Sequence, residues 1–448
     1  MPAQNGRSNA PAASVQQSSD AGTVPTIKTD VRQVLVPVVV TDKHGRPVSG
    51  LKQSDFAVSE DNVPQHIVAF SKTYDASLEM ANLPDMSNIA TRSSEVAMAG
   101  KVGPDSPTRT YLVCVDTLHS SLSDLVQARR ALTKFFQSEY DGKAQYALMN
   151  LTRQIEVIQD STRDSSLVLA ALGSKRFQSS IVDSEASSIA FDSKSLRRML
   201  KRYDPRICSN IPGTPAHGPI SDDCPGIKRK VEMFIAARAE RTAILTRIFL
   251  QELKNIISVM AGMPTARTLI LISDGFTLVP GRELYGIASA YFPDVAQFRF
   301  SQRDAQPQLD ELLRLAQKSN VVVYGLDSRG VYTPASTGLG DAASEGYGDG
   351  PRMRALSQMM SNEDTIAWEN GSAMAQLARA TGGMYFHGNN DLLTGIRRAF
   401  NDERERYVIA YTPSNALMDG KYRRITVAVR NRNHLRVYAK TGYWATGN

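Results

Sequence analysis

The stretch Tyr111-Leu112-Val113-Cys114-Val115-Asp116-Thr117-Leu118-His119-Ser120-Ser121 decides how the rest of this sequence is read. The apolar run from Tyr111 to Val115 predicts a strand covered on both faces, the habit of parallel sheets. Cys114 behaves there as a small hydrophobe. Polar residues follow at once, and then Leu122, Leu125, Ala128, Leu132 and Phe136 fall on one helical stripe. Strand, polar loop and amphipathic helix together make one unit of an α/β fold.

Working outward, the unit recurs. Residues 145–151 and 154–158 read as two strands with a tight connection. An apolar-periodic helix over about 231–260 precedes a covered strand at 268–273. A helix at 309–318 leads into a strand at 321–326, and the segments 372–381, 383–387 and 392–400 repeat the pattern. This alternation predicts a doubly wound, mostly parallel sheet spanning 108–403. Two insertions interrupt it, at 174–230 and at 328–362, the second rich in Gly and Ser.

The flanks have a different rhythm. Within 31–72, a valine-rich run at 34–40 is followed by the turn at 42–47, then by short strands near 55–62 and 65–70. Within 404–448, strands are expected at 407–411, 422–429 and 435–439, with the turn Met418-Asp419-Gly420-Lys421 between the first two. We expect the two β segments to pack together as an accessory β-sandwich-like part. Residues 1–27 are poor in large apolar side chains and read as a disordered leader, and 73–107 read as a polar linker.

With 448 residues the chain is too long for one core, and two or three domains are expected. Its 42% hydrophobic and 22% charged residues are ordinary for a globular protein and exclude a repeat array. The net charge of +7 and a pI near 9.2 allow weak attraction to anionic surfaces. No apolar run approaches the roughly 20 residues that cross a bilayer. Cys208 and Cys224 flank a loop with little apolar content. A disulfide there would staple it in an oxidising compartment, and two free thiols in a reducing one is the other reading.

In an open α/β sheet, ligands bind beyond the carboxyl ends of the strands, so the residues just after each covered strand are the informative ones. These are Asp116 to Ser121, the run Gln159-Asp160-Ser161-Thr162-Arg163-Asp164, and Ser273-Asp274-Gly275. Aspartates with hydroxyl side chains on three loops suit a hard divalent cation. The plainer reading is that Asp116 and Asp274 cap neighbouring helices.

This arrangement resembles the von Willebrand factor A fold, whose metal-ion-dependent adhesion site has Asp-x-Ser-x-Ser, a threonine on a second loop and an aspartate before glycine on a third. The wider chain resembles the von Willebrand factor A-related proteins of acidobacteria. The residues carrying that closer likeness are Val39 to Leu51 leading to Asp55-Phe56, then Val323-Tyr324-Gly325-Leu326-Asp327-Ser328-Arg329-Gly330. The third is the C-terminal series Leu377-Ala378, Thr381-Gly382-Gly383, Tyr407 to Tyr411 and Lys440-Thr441-Gly442-Tyr443. The likeness spans about 31–444. Residue by residue, it implies a site of Asp116, Ser120, Thr162 and Asp274 for Mg²⁺ or another divalent cation. Leu118 stands where the family has the first serine, which removes one direct ligand.

His119 beside Ser120 and Ser121 invites a hydrolase reading, but neighbours on one loop rarely align nucleophile, base and orienting group. No Gly-x-Ser-x-Gly elbow, His-Glu-x-x-His or phosphate-binding loop is present. Basic residues cluster at Lys194, Arg197, Arg198, Lys201, Arg202 and Arg206, with Lys228, Arg229 and Lys230, and again at Lys421, Arg423, Arg424, Arg430, Arg432 and Arg436. They read as solvated faces or as a polyanion patch. The expectation is a non-enzymatic, extracytoplasmic binding or adhesion module. Its partner would be an unidentified protein, without specific nucleic acid or a membrane span. The alternative is a surface protein that binds polyanions such as envelope polysaccharide or nucleic acid.

Overall fold

The computed structural model describes residues 33–72, 109–140, 143–182, 224–289, 304–330, 371–432 and 434–446, with single positions between 192 and 200. The expected leader and linker, Cys208 with its pairing to Cys224, the cluster at 194–206 and most of the second insertion lie outside these residues.

The central sheet has six strands in spatial order β10-β9-β8-β5-β6-β7. They are β5 (Arg109–Asp116), β6 (Gln145–Leu151), β7 (Ile155–Thr162), β8 (Ala266–Ser273), β9 (Val321–Asp327) and β10 (Tyr385–Phe386). All pairings are parallel except β6 with β7. Counted from β5, the order is that of a doubly wound sheet, with its switch point between β5 and β8. The covered-strand reading holds: β5, β8 and β9 are buried almost throughout.

Alternate residues of each strand feed two cores. Val113, Val115, Ile270 and Ile272 face α1 (Leu122–Ser138), α2 (Ser165–Gly173), α3 (Lys175–Val182) and α8 (Leu392–Arg404). Leu112, Cys114, Leu269 and Leu271 face α4 (Cys224–Ala261), α6 (Gln306–Lys318) and α7 (residues 371–381). α1 presents Leu125, Ala128, Leu132, Phe135 and Phe136 at helical spacing, and Ser121 caps it. α4 begins about two turns earlier than its apolar period predicts. A short α5 (Arg282–Ser289) packs through Leu284, Tyr285 and Ile287 against Val231, Ile235 and Ala239 of α4.

The chain's two ends form one unit, as expected. β1 (Val34–Thr41) lies between β11 (Tyr407–Tyr411) and β13 (Arg436–Ala439), and β4 (Ile67–Ser71) pairs with the far side of β11. A second antiparallel sheet orders β14 (Gly442–Trp444), β12 (Tyr422–Val429), β2 (Phe56–Glu60) and β3 (Val63–Gln65). The two sheets share a core of Val36, Val38, Phe56, Val58, Ile409, Tyr411 and Ile425. At its heart Glu60 accepts hydrogen bonds from the hydroxyls of Tyr411 at 2.7 Å and Tyr443 at 3.0 Å.

The amino ends of the central strands carry a buried charged group. Arg406 pairs with Glu403, whose Oε2 accepts a hydrogen bond from Thr268 Oγ1 at 2.7 Å. Asp402 is fully buried nearby. Among the described residues its nearest cation, Arg398 Nε, is 4.0 Å away, and neither of its oxygens has a hydrogen-bond partner. Burial pushes its carboxyl up to about 7, against the opposing pull of Arg398 and Arg406.

Candidate functional site

The switch point brings the last residues of β5, β8 and β9 side by side. Asp116 ends β5 and is fully buried. Its Oδ1 accepts the backbone N–H groups of Leu118 at 2.9 Å and His119 at 3.1 Å, which folds the loop into a tight turn about the carboxylate. Its Oδ2 accepts from His119 Nδ1 at 3.0 Å and from Ser273 Oγ at 2.6 Å. The imidazole is thus laid down on the carboxylate, with its ring edge-on to Phe249 at 4.8 Å between centroids. The acceptor-only Asp116 carboxylate makes Nδ1 the donating nitrogen, and among the described residues the buried Nε2 has no hydrogen-bond partner.

Asp274, one residue past β8, ties three loops together. Its Oδ2 accepts the N–H of Ser121 at 2.8 Å and its Oδ1 accepts the hydroxyl of Ser328 at 2.7 Å. Its own N–H donates to Ser120 Oγ at 3.1 Å. Burial, and next the Asp124 carboxylate, push the Asp274 carboxyl well above the usual range, while Ser328 and Ser121 pull it down. Asp124 in turn accepts from the Ser121 hydroxyl at 2.6 Å. Gly275 follows with φ of 86°, the left-handed conformation that favours glycine, and donates its N–H to Ser273 Oγ at 2.9 Å.

Asp327 ends β9. Arg329 forks it, with Nε 2.9 Å from Oδ1 and Nη2 2.7 Å from Oδ2, and the hydroxyl of Tyr385 donates at 2.9 Å. This is a bidentate pair, nearly out of water, of the strongest kind between side chains. Neighbouring Ser328 is the residue that reaches Asp274.

Of the four residues expected here, Asp116, Ser120 and Asp274 come together and Thr162 does not. Thr162 is the last residue of β7 and pairs with Tyr146, at the opposite end of the sheet from Asp116, which pairs with Leu151. The strand runs past residue 158 because its hairpin with β6 continues to the amino edge. Ser273, Ser328, Asp124 and the Asp327–Arg329 pair were not singled out as site residues. Applying the strand-end rule to β9 as it was applied to β5 would have found two of these groups.

The arrangement does not fit a directly bound divalent cation. Four in-chain donors already point at the Asp116 carboxylate, and a cation would have to displace them. The Leu118 side chain lies in the core beneath α4, 2% exposed, rather than at the edge. Among the described residues no three His, Cys, Asp or Glu side chains are placed to share an ion.

The C-terminal basic cluster is divided. Arg423 is buried and paired with Asp419 at 2.9 Å, and Arg430 Nε donates to the Phe56 carbonyl at 3.2 Å. Arg424, Arg432 and Arg436 face solvent. Among the described residues no helix is long and apolar enough to cross a membrane.

No protein-family model matches the sequence, and no curated protein matches it. Among solved structures, an aerotolerance-related membrane protein from Bacteroides fragilis is 11% identical, with a TM-score of 0.25. The similarity covers 66% of this chain and 98% of that one. BatB from Bacteroides thetaiotaomicron gives 11% and 0.24 over 66% of this chain and 98% of its own. The PilB minor pilin from Streptococcus sanguinis gives 10% and 0.24 over 67% and 62%. At this level the comparisons assign neither family nor role; the structure itself is an α/β fold with a six-stranded, mostly parallel sheet and two antiparallel sheets that join strands from both chain ends.

Proposed function

We propose that this chain is a non-enzymatic binding module of the von Willebrand factor A type, working outside the cytoplasm, whose protein partner docks on the carboxyl edge of the six-stranded sheet. The observation that carries the reading is the interlocking of three strand-end loops at the switch point. Asp274 alone is bonded to the loops after β5 and β9. A preorganised edge of this kind binds without paying to order itself. Leu122, at the start of α1, is 46% exposed there and offers an apolar anchor beside the polar loops. Arg153, in the turn between β6 and β7, adds an exposed charge at the same edge.

The test is capture from envelope extract by the immobilised chain, compared with Leu122→Asp and Arg153→Glu. Lys143→Glu, at the amino end of β6, serves as a control. A partner of this edge should be retained by the control and lost about tenfold or more by the edge variants. Equal capture by all four proteins would sink the assignment of the edge.

A further inference from the structure

We infer that this sheet edge has replaced a divalent cation with donors of its own, so that it holds its binding-ready shape without metal. The inference concerns the same edge as the proposed function but does not need its partner.

The argument rests on who sits on each carboxylate. A hard cation at such an edge needs oxygens with lone pairs directed at one point and room for water in its shell. Asp116 has neither. Its two oxygens take two backbone N–H groups, one imidazole N–H and one hydroxyl, and the carboxylate is fully buried. The imidazole is held in place from behind by Phe249 and Phe276, at 4.8 Å and 6.0 Å between centroids, so it cannot swing aside without breaking ring contacts. The residue before it, Leu118, is packed into the same core, so no side-chain oxygen comes from that position.

One strand over, a guanidinium does for Asp327 what an ion would do. Arg329 meets both carboxylate oxygens while its own side chain is 15% exposed. Because Ser328 lies between these two residues and bonds to Asp274, the arginine clamp fixes the loop that also closes over the switch point. The links that a shared ion would make between loops are made here by Ser273 to Asp116, by Ser120 and Ser121 to Asp274, and by Ser328 to Asp274.

The experiment is calorimetric titration with MnCl₂ of the full chain, of Asp116→Asn, and of the double variant Leu118→Ser/His119→Gly. The double variant restores a hydroxyl at 118 and lifts the imidazole off Asp116. We expect the wild type to give no saturable heat up to about 1 mM, the weak end of protein cation sites. The double variant should acquire a saturable, Asp116-dependent heat. Wild-type heat that saturates below that concentration and vanishes in Asp116→Asn would overturn the inference. So would a folded double variant with no heat, because His119 and Leu118 would then not be what keeps the ion out. If the double variant fails to fold, His119→Gly alone is titrated under the same two criteria, and the comparison of wild type with Asp116→Asn still decides. A cation result leaves the capture experiment above unaffected, so the two proposals fail separately.

Discussion

Two buried carboxylates, Asp116 at the carboxyl edge of the central sheet and Asp402 near its amino end, are held in opposite ways. At the carboxyl edge, Asp116 meets four donors between 2.6 and 3.1 Å, the Asp274 carboxylate accepts two hydrogen bonds and that of Asp327 four. At the amino end, Asp402 is equally buried and has cations in its neighbourhood, but among the described residues nothing donates to its oxygens. Proximity of charge is therefore not what distinguishes the ends. Directed donors fix one geometry and hold a loop, whereas a cation that makes no directed bond to the carboxylate fixes neither.

The sharpest way to break this contrast is Asp116→Ala. It strands two backbone N–H groups, an imidazole and a hydroxyl in a dry site, and should cost about 3–5 kcal/mol in urea unfolding. A loss under about 1 kcal/mol would mean that the donors find other partners and the edge is not built around this carboxylate. The second effect has the opposite sign. The native Asp402 carboxyl titrates near 7, above its ordinary value of 3.8. Between those values the native state binds more protons than the unfolded one, so this group's contribution to stability falls as pH rises through that window. Asp402→Asn removes the effect: it should stabilise the protein by about 1–3 kcal/mol at pH 8 and leave it unchanged near pH 4. A variant that destabilises equally at both pH values would show that the carboxylate is needed as a charge.

The smallest effect comes from an exposed counterpart of the Asp116 turn. Asp42 accepts the backbone N–H groups of His44 at 2.8 Å and Arg46 at 2.9 Å, the same kind of local arrangement, but in water. Solvent can replace it, so Asp42→Ala should move Tm by no more than about 2 °C. A larger shift would mean that the turn itself, and not its burial, carries the energy.

Much of this architecture was legible in the sequence because buried parallel strands announce themselves as continuous apolar runs, as 111–115 and 321–326 do. The loops that end at Asp116 and Asp274 followed from the strand-end rule. β7 was harder: every residue from Ile155 to Thr162 is partly or wholly exposed, so its length leaves no apolar signature, and Thr162 was carried to the wrong edge. The occupants of the site were hidden for another reason. That His119 bends back onto Asp116 depends on Phe249, far away on α4, and no local pattern encodes that contact. β12 alternates buried and exposed residues from Tyr422 to Ile425, but the buried residue beside Ile425 is Arg423, which no apolar pattern announces. Its partner β2, at the other end of the chain, could only be an expectation.

The pairing of strands from the two chain ends has a consequence for biosynthesis. β1 is bonded on both sides to strands made near the end of translation, and the hydroxyl of Tyr407 accepts the Leu51 N–H across 356 residues of sequence. A ribosome would release the valine-rich β1 long before β11 or β13 exists. Non-local pairing of this kind is slow, and a bare apolar strand is prone to join the wrong neighbour while it waits. Whatever shelters residues 34–40 in that interval, whether a chaperone or the nascent α/β domain, sets the yield of folded protein. Truncating the chain before Tyr407 should accordingly produce aggregates rather than a free α/β domain.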